Sequence, residues 1–232
     1  MIEIIPSINK STWPEVEQDI KKAESFADWI ELDIGDGSLG QAKTWDNPED
    51  LKSLKLLRPI RFAAHLMIKN PDKVIENWIG AGIRRIIVQY EGIAGGLWGR
   101  KRKKTIKQIA DECKNNWVEF GISISPKTSV AKLRPFLGSV DLVQILAVPI
   151  GLSGYGFDEK QLRKAEELRI WQDQIFGETG FGYKIEWDGG VDIETVKKIK
   201  AAGAEIIAST SFVFGAAEPA QAVEALVKVI RE

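Results

Sequence analysis

The chain has 232 residues, of which 44% are hydrophobic and 28% charged, the balance of a soluble globular protein. Thirty-two Lys and Arg against thirty-three Asp and Glu leave no global field to recruit nucleic acid or an anionic membrane surface. A single Cys, Cys113, excludes an internal disulfide and fits a reducing, cytoplasmic setting. The opening MIEIIPSI lacks the basic segment and long apolar core of a signal peptide, and no apolar run reaches the roughly 18 residues of a membrane span.

Short apolar runs alternate with amphipathic stretches along the whole sequence. Strands are predicted at Ile2–Ser7, Trp29–Asp33, Arg61–Met67, Arg84–Glu91, Trp117–Ser125, Asp141–Val148, Tyr183–Asp188 and Glu205–Ser209. Helices are predicted between and after them, at Glu15–Ala27, Pro48–Leu57, Pro71–Ala81, Arg100–Asn115, Val130–Leu137, Glu159–Phe176, Ile193–Ala202 and Pro219–Arg231. Asn70, Ser129 and Glu218 read as helix starts, and Gly82 and Gly203 as helix ends. Eight strand–helix units in strict alternation predict a parallel sheet, and eight strands close a barrel. The expected fold is a (βα)8 TIM barrel forming one domain over residues 1–232. An open doubly wound sheet would carry a Gly-rich first turn, where this chain has PSINKSTWP.

In such a barrel the chemistry lies at the C-terminal strand ends. Period-two alternation in WIELDIGDG turns Glu31 and Asp33 inward together, a costly pair unless a metal, a shared proton or a basic partner neutralises them. The third strand brings the sole histidine, His65, inward as well. The seventh, KIEWDGG, turns Glu186 and Asp188 inward and ends in Gly189–Gly190, where backbone amides can approach a ligand closely. The glycine-rich loop Gly151–Gly156 and the hydroxyls of Ser209–Ser211 complete an expected anion pocket across from strands two and three. The basic run Gly99–Lys104, GRKRKK, reads as a solvated helix start or a steering patch.

The stretches IIPSI, ELDIGDG, HLMIKNPDKVIENWIGAG, VDLVQILAVPIGLSGYGF and IEWDGGVDIETVKKIKAAGAEIIASTSFVFG, in that order, resemble the ribulose-phosphate 3-epimerases along nearly the whole chain. The resemblance implies an isomerase that interconverts ribulose 5-phosphate and xylulose 5-phosphate by moving a proton. Asp33 and Asp188 would be its acid and base. One divalent metal, Zn, Mn, Fe or Co, would be held by Glu31, Asp33, His65 and Asp188. Substrate contacts would come from Ser7 and Met67, from Gly151, Leu152, Ser153 and Gly154, from Gly189 and Gly190, and from Thr210 and Ser211. The implied partner is a small phosphorylated ketose, and family members often form homo-oligomers. Four residues depart from the family pattern: Glu31 replaces a His, Gly35 a frequent Met, and Ser153 and Thr210 each a Gly. Those departures keep two other readings open: a 3-epimerase of another ketose or hexulose phosphate such as allulose 6-phosphate, and a non-catalytic sugar-phosphate-binding homologue. The DxKxxD pattern of related decarboxylases is absent.

Overall fold

Eight short β-branched runs bounded by Gly, Pro or charge become eight parallel strands, and the sheet closes on itself in the order β1 to β8. The computed structural model describes residues 2–96, 99–152 and 154–231. The strands are β1 Glu3–Ile8, β2 Trp29–Gly35, β3 Arg61–Met67, β4 Arg85–Gln89, β5 Glu119–Ile124, β6 Leu142–Leu146, β7 Lys184–Asp188 and β8 Ile206–Ser209. The helices are α1 Trp13–Ala23, α2 Ile75–Gly80, α3 Arg100–Asn115, α4 Leu162–Thr179, α5 Val196–Ala201, α6 Ser211–Phe214 and α7 Pro219–Arg231. No helix among the described residues is long and apolar enough to cross a membrane.

All eight predicted strands form, one or two residues different at most ends. The fifth begins at Glu119, because Trp117 is left-handed (φ 57°) and 91% exposed at the exit of α3. The helices differ more, and for identifiable reasons. Residues Pro48–Leu57 hold only a 3-10 turn, Pro48–Ser53. Leu51 is the buried residue in that turn, and the Glu24 carboxylate takes the N–H groups of Leu57 and Arg58 ahead of Pro59. Val130–Leu137 breaks into two 3-10 turns because Pro135 lacks the N–H a continuous helix needs. Pro71–Ala81 is a 3-10 turn followed by α2, and Asn70, at φ 54°, makes no side-chain cap. Helix α1 starts two residues early, where Thr12 and Glu15 bond to each other at 2.6 Å.

Most of the apolar core lies between barrel and helices, where Ile30, Leu32, Ile34, Ile185 and Trp187 point outward from β2 and β7. Trp13, Trp45 and Trp78 tie α1, the segment after β2 and α2 together, with ring centroids 5.1 and 5.7 Å apart. The barrel interior is different. Its apolar filling is small: Ile5, Trp29, Ala63, Ile87, Leu142 and Ile206. Buried polar side chains surround that layer, and Met67, Leu146 and Ala208 face the cavity above it. Arg85, 1% exposed, reaches Glu119 at 2.6 Å, lies 3.8 Å from Glu186 and stacks 4.2 Å from the Trp29 ring. It is the cation beneath the carboxylates of β2 and β7.

Removing that cation leaves Glu186 buried without a counter-charge. Arg85→Leu is expected to lower unfolding free energy in urea by about 3–5 kcal/mol. The double variant Arg85→Leu/Glu186→Leu should recover most of the loss, because an apolar pair needs no compensation. A single variant within about 1 kcal/mol of the parent would show that the carboxylate is balanced elsewhere.

Candidate metal centre and active-site cavity

Strand register decides which polar side chains meet. Asp33 pairs with His65 across β2 and β3, and Leu146 with Asp188 across β6 and β7. Alternation keeps Glu31, Asp33, His65 and Asp188 on the inner face, and one ligand atom from each lies within 4.8 Å of all the others. All four are buried: Glu31 and His65 at 0%, Asp33 at 6%, Asp188 at 7% exposure.

Three of them, Asp33, His65 and Glu31, have their orientation fixed by a neighbour. Ser7 donates to Asp33 Oδ2 at 2.9 Å. His65 Nδ1 faces Asp33 Oδ1 at 3.2 Å, and its Nε2 faces Gln89 Oε1 at 3.0 Å. Gln89 spends its amide nitrogen on Glu91, so its oxygen must accept from His65 Nε2–H. In the neutral ring that fixes the tautomer whose Nδ1 lone pair faces the cluster, and in the protonated ring Nδ1 donates to Asp33. Gln144 holds two carboxylates with one amide, Glu31 Oε1 at 3.0 Å and Glu186 Oε1 at 2.8 Å. The second oxygen of Glu31, Oε2, is buried and accepts no hydrogen bond.

The electrostatics follow from burial. Glu31 is pushed well above the carboxylate range by burial, then by the charges of Glu186, Asp33 and Asp188. Asp188 is likewise pushed well up, by burial and by Asp33, against a smaller opposite pull from His65. Burial lowers the His65 value, but its hydrogen bond to Asp33 and that carboxylate's charge outweigh it, so the net shift is upward. The protein without a cation therefore retains protons here. Three carboxylates, an imidazole with a directed lone pair and an orphaned buried oxygen fit a divalent cation.

Above the cluster opens a cavity. Asp33, Met67 and Asp188 line it, as do Gly151, Leu152, Gly154, Gly189, Gly190, Thr210 and Ser211. Sequence reasoning thus placed ten residues that do share one wall. Glu31, His65 and Ser7 lie beneath it, and Ser153 falls outside the described residues. Gly189 and Gly190 have φ of 111° and 64°, and at Gly190 a Cβ would stand 2.6 Å from Phe157 Cα. Thr210 has φ −97°, an ordinary conformation for a β-branched residue, so no glycine is required there. Gly35 is also explained. A Cβ there would stand 3.0 Å from Gln41 Nε2, which donates to the Met67 carbonyl, and a Cβ on Gly151 would stand 2.5 Å from Gln41 Cβ. The segment after β2 folds back to place Gln41 in a socket formed by two glycines. Asn9, Gln41, Gln89 and Gln144 escaped the sequence reading. The inward alternation of Asn9 after Ser7 and of Gln89 and Gln144 within β4 and β6 was the available signal.

Two outcomes follow. The raised values of Glu31, Asp188 and His65 all favour protonated forms in the folded state. The stability they contribute is complete below the unfolded values, about 4 for the carboxylates and 6.5 for His, and is lost as pH rises through the folded ones. The melting temperature of metal-free protein should fall between about pH 5 and 8. Added Mn2+ or Zn2+ should cancel the fall and release protons, as calorimetry in buffers of different ionisation enthalpy would measure. A flat metal-free profile would contradict the charge assignment. Gln89→Leu should weaken metal binding by about 10–100-fold through the loosened imidazole.

Comparison with known proteins extends the likeness beyond the site. The pattern of the Ribulose-phosphate 3 epimerase family matches residues 3–214. The ribulose-phosphate 3-epimerase of Synechocystis sp. is 31% identical over 223 residues, covering 96% of this chain and 91% of that protein. The Bacillus subtilis ribulose-phosphate 3-epimerase is 28% identical over 227 residues, covering 96% and 97%. Among solved structures, a 3-hexulose-6-phosphate synthase superposes with TM-score 0.71 at 16% identity, covering 99% of this chain and 100% of that one. KGPDC from Streptococcus mutans superposes with TM-score 0.70 at 14% identity, covering 100% and 98%. These last two share the fold. Barrel closure and full-length sequence likeness agree, and the chain belongs to the ribulose-phosphate 3-epimerase family.

Proposed function

We propose that this protein is a metal-dependent epimerase that interconverts ribulose 5-phosphate and xylulose 5-phosphate. The observation that carries the reading is the pair Asp33 and Asp188. They are the two carboxylates that line the cavity wall, on β2 and β7, with ligand atoms within 4.8 Å of each other.

Inversion beside a ketone needs a proton removed from one face of carbon 3 and a proton delivered to the other. One aspartate takes the carbon-bound proton, and the electron pair moves onto the carbonyl to give a cis-ene-diolate. The other aspartate, entering as the acid, gives its proton to the opposite face of the same carbon. The roles exchange in the reverse direction, so both must carry a proton at alternate times. Asp188, held well above the usual carboxylate range by burial and by Asp33, suits a proton carrier. Ser7 and His65 hold Asp33 in one rotamer while it acts.

Glu31, Asp33, His65 and Asp188 would hold one divalent ion, Zn, Mn, Fe or Co, whose charge stabilises the oxyanions of the ene-diolate. Glu31 in place of a histidine adds an oxygen donor and a negative charge, favouring the harder ions of that set. Backbone at Gly151–Gly154, Gly189–Gly190 and Thr210–Ser211 would take the phosphate, with Met67 and Leu152 against the carbon chain. The substrate class is a small phosphorylated ketose.

Asp33→Asn and Asp188→Asn should each reduce epimerisation by at least about 10²–10⁴-fold. Wash-in of solvent deuterium at carbon 3 separates the roles, since losing the delivering acid can leave exchange without inversion. Glu31→His should retain or raise activity. Metal-loaded protein that neither epimerises nor exchanges deuterium with pentulose or hexulose phosphates would defeat the reading.

A further inference from the structure

Asn9 is a side chain on the cavity wall that meets no partner among the described residues, and it is the one carboxamide there beside the hydroxyls of Ser209, Thr210 and Ser211. Asn9 follows Ile8 at the end of β1, two residues beyond Ser7 and therefore on the same inward side. The pairing of Ser7 with Glu31 and Ile8 with Leu32 carries Asn9 to the level of Asp33. On its other side β1 pairs with β8, with Pro6 opposite Ser209, next to Thr210 and Ser211. Asn9 thus stands between the carboxylate end of the cavity and the Thr210–Ser211 end, and it lines that cavity.

The other carboxamides around the site are committed. Gln89 serves His65 and Glu91, Gln144 serves Glu31 and Glu186, and Gln41 serves Met67 and Leu39. Asn9 is half-buried, and among the described residues its side chain meets no donor or acceptor. A neutral group with a free donor and a free acceptor suits a hydroxyl, which offers both in return. It also adds no charge to a region already rich in carboxylates.

Resting on the epimerase reading, we propose that Asn9 is a specificity-determining residue that hydrogen-bonds the carbon-4 hydroxyl of the ketose phosphate. Carbon 3 must lie between Asp33 and Asp188 for inversion, and the phosphate lies at the Gly189–Gly190 and Thr210–Ser211 backbone. Carbon 4 is the hydroxyl-bearing carbon between them, on the stretch of wall that Asn9 occupies. A site built to bond a hydroxyl discriminates against a ligand that presents it elsewhere, because the polar group then goes unpaired.

D-ribulose 5-phosphate and L-xylulose 5-phosphate share configuration at carbon 3 and differ at carbon 4. Their kcat/KM values should be measured for metal-loaded wild type, Asn9→Ala and Asn9→Leu, with thermal melts to confirm folding. Wild type should prefer one epimer. Both variants should lose about tenfold on the preferred epimer and little on the other, so the ratio collapses. Equal losses on both epimers, no loss, or no preference in wild type would overturn the assignment. If wild type turns over neither compound, the epimerase reading fails separately. Calorimetric affinities for the same two compounds then decide on Asn9: a preference that collapses in Asn9→Ala supports it, and one that persists or is absent overturns it.

Discussion

Glu31 and Asp33 on β2 and Glu186 and Asp188 on β7 all point into one barrel, and strands fixed about 4.8 Å apart cannot move them away from each other. Much of the interior is arranged around that repulsion. The lower pair is satisfied in part within the protein, which leaves Oε2 of Glu31 and of Glu186 without a hydrogen-bond partner. Gln144 bridges Glu31 to Glu186, and Arg85 stands beneath with its face on Trp29. The upper pair receives less: a serine hydroxyl and one imidazole nitrogen on Asp33, with Asp188 raised by burial. The deficit of positive charge is greatest where the cavity opens, which is where a cation and a charge-developing substrate would enter.

The same arrangement separates stability from chemistry. Outward residues of the strands pack against helices in a continuous apolar layer, and a smaller inward cluster that includes Ile5, Trp29 and Leu142 fills the barrel. Around the mouth, glycines at 35, 151, 189 and 190 make room for close approach. The segment after β2 is fastened at three points. Ser38 accepts from Lys69 N–H at 2.8 Å, Gln41 donates to the Met67 carbonyl, and Thr44 bonds Gly35 and Asp33 at 2.7 Å each. Substitutions that look disruptive singly are therefore consistent in context. Gln41 occupies the space that Gly35 leaves, and Thr210 needs no glycine conformation.

Much of this was legible in the sequence, and the boundary of legibility has a physical basis. Strand identity and facing follow from the period of two, so the inward set Glu31, Asp33, His65, Glu186 and Asp188 and the outward Ile185 and Trp187 could be read directly. Helix extents could not be read as well. Pro135 interrupts one predicted helix locally, while the Glu24 carboxylate, 33 positions from Leu57, and the small buried face around Leu51 override local propensity through tertiary context. Partner choice inside the barrel was out of reach altogether. Gln144 meets Glu31 across 113 positions of chain, and the tautomer of His65 depends on where Gln89 spends its amide. Sequence by itself determined the barrel and the residue types at its mouth, because both rest on local periodicity. Tertiary structure alone decided which oxygens and nitrogens remain unspent, because closing the sheet fixes distances between strands that the chain's order does not encode.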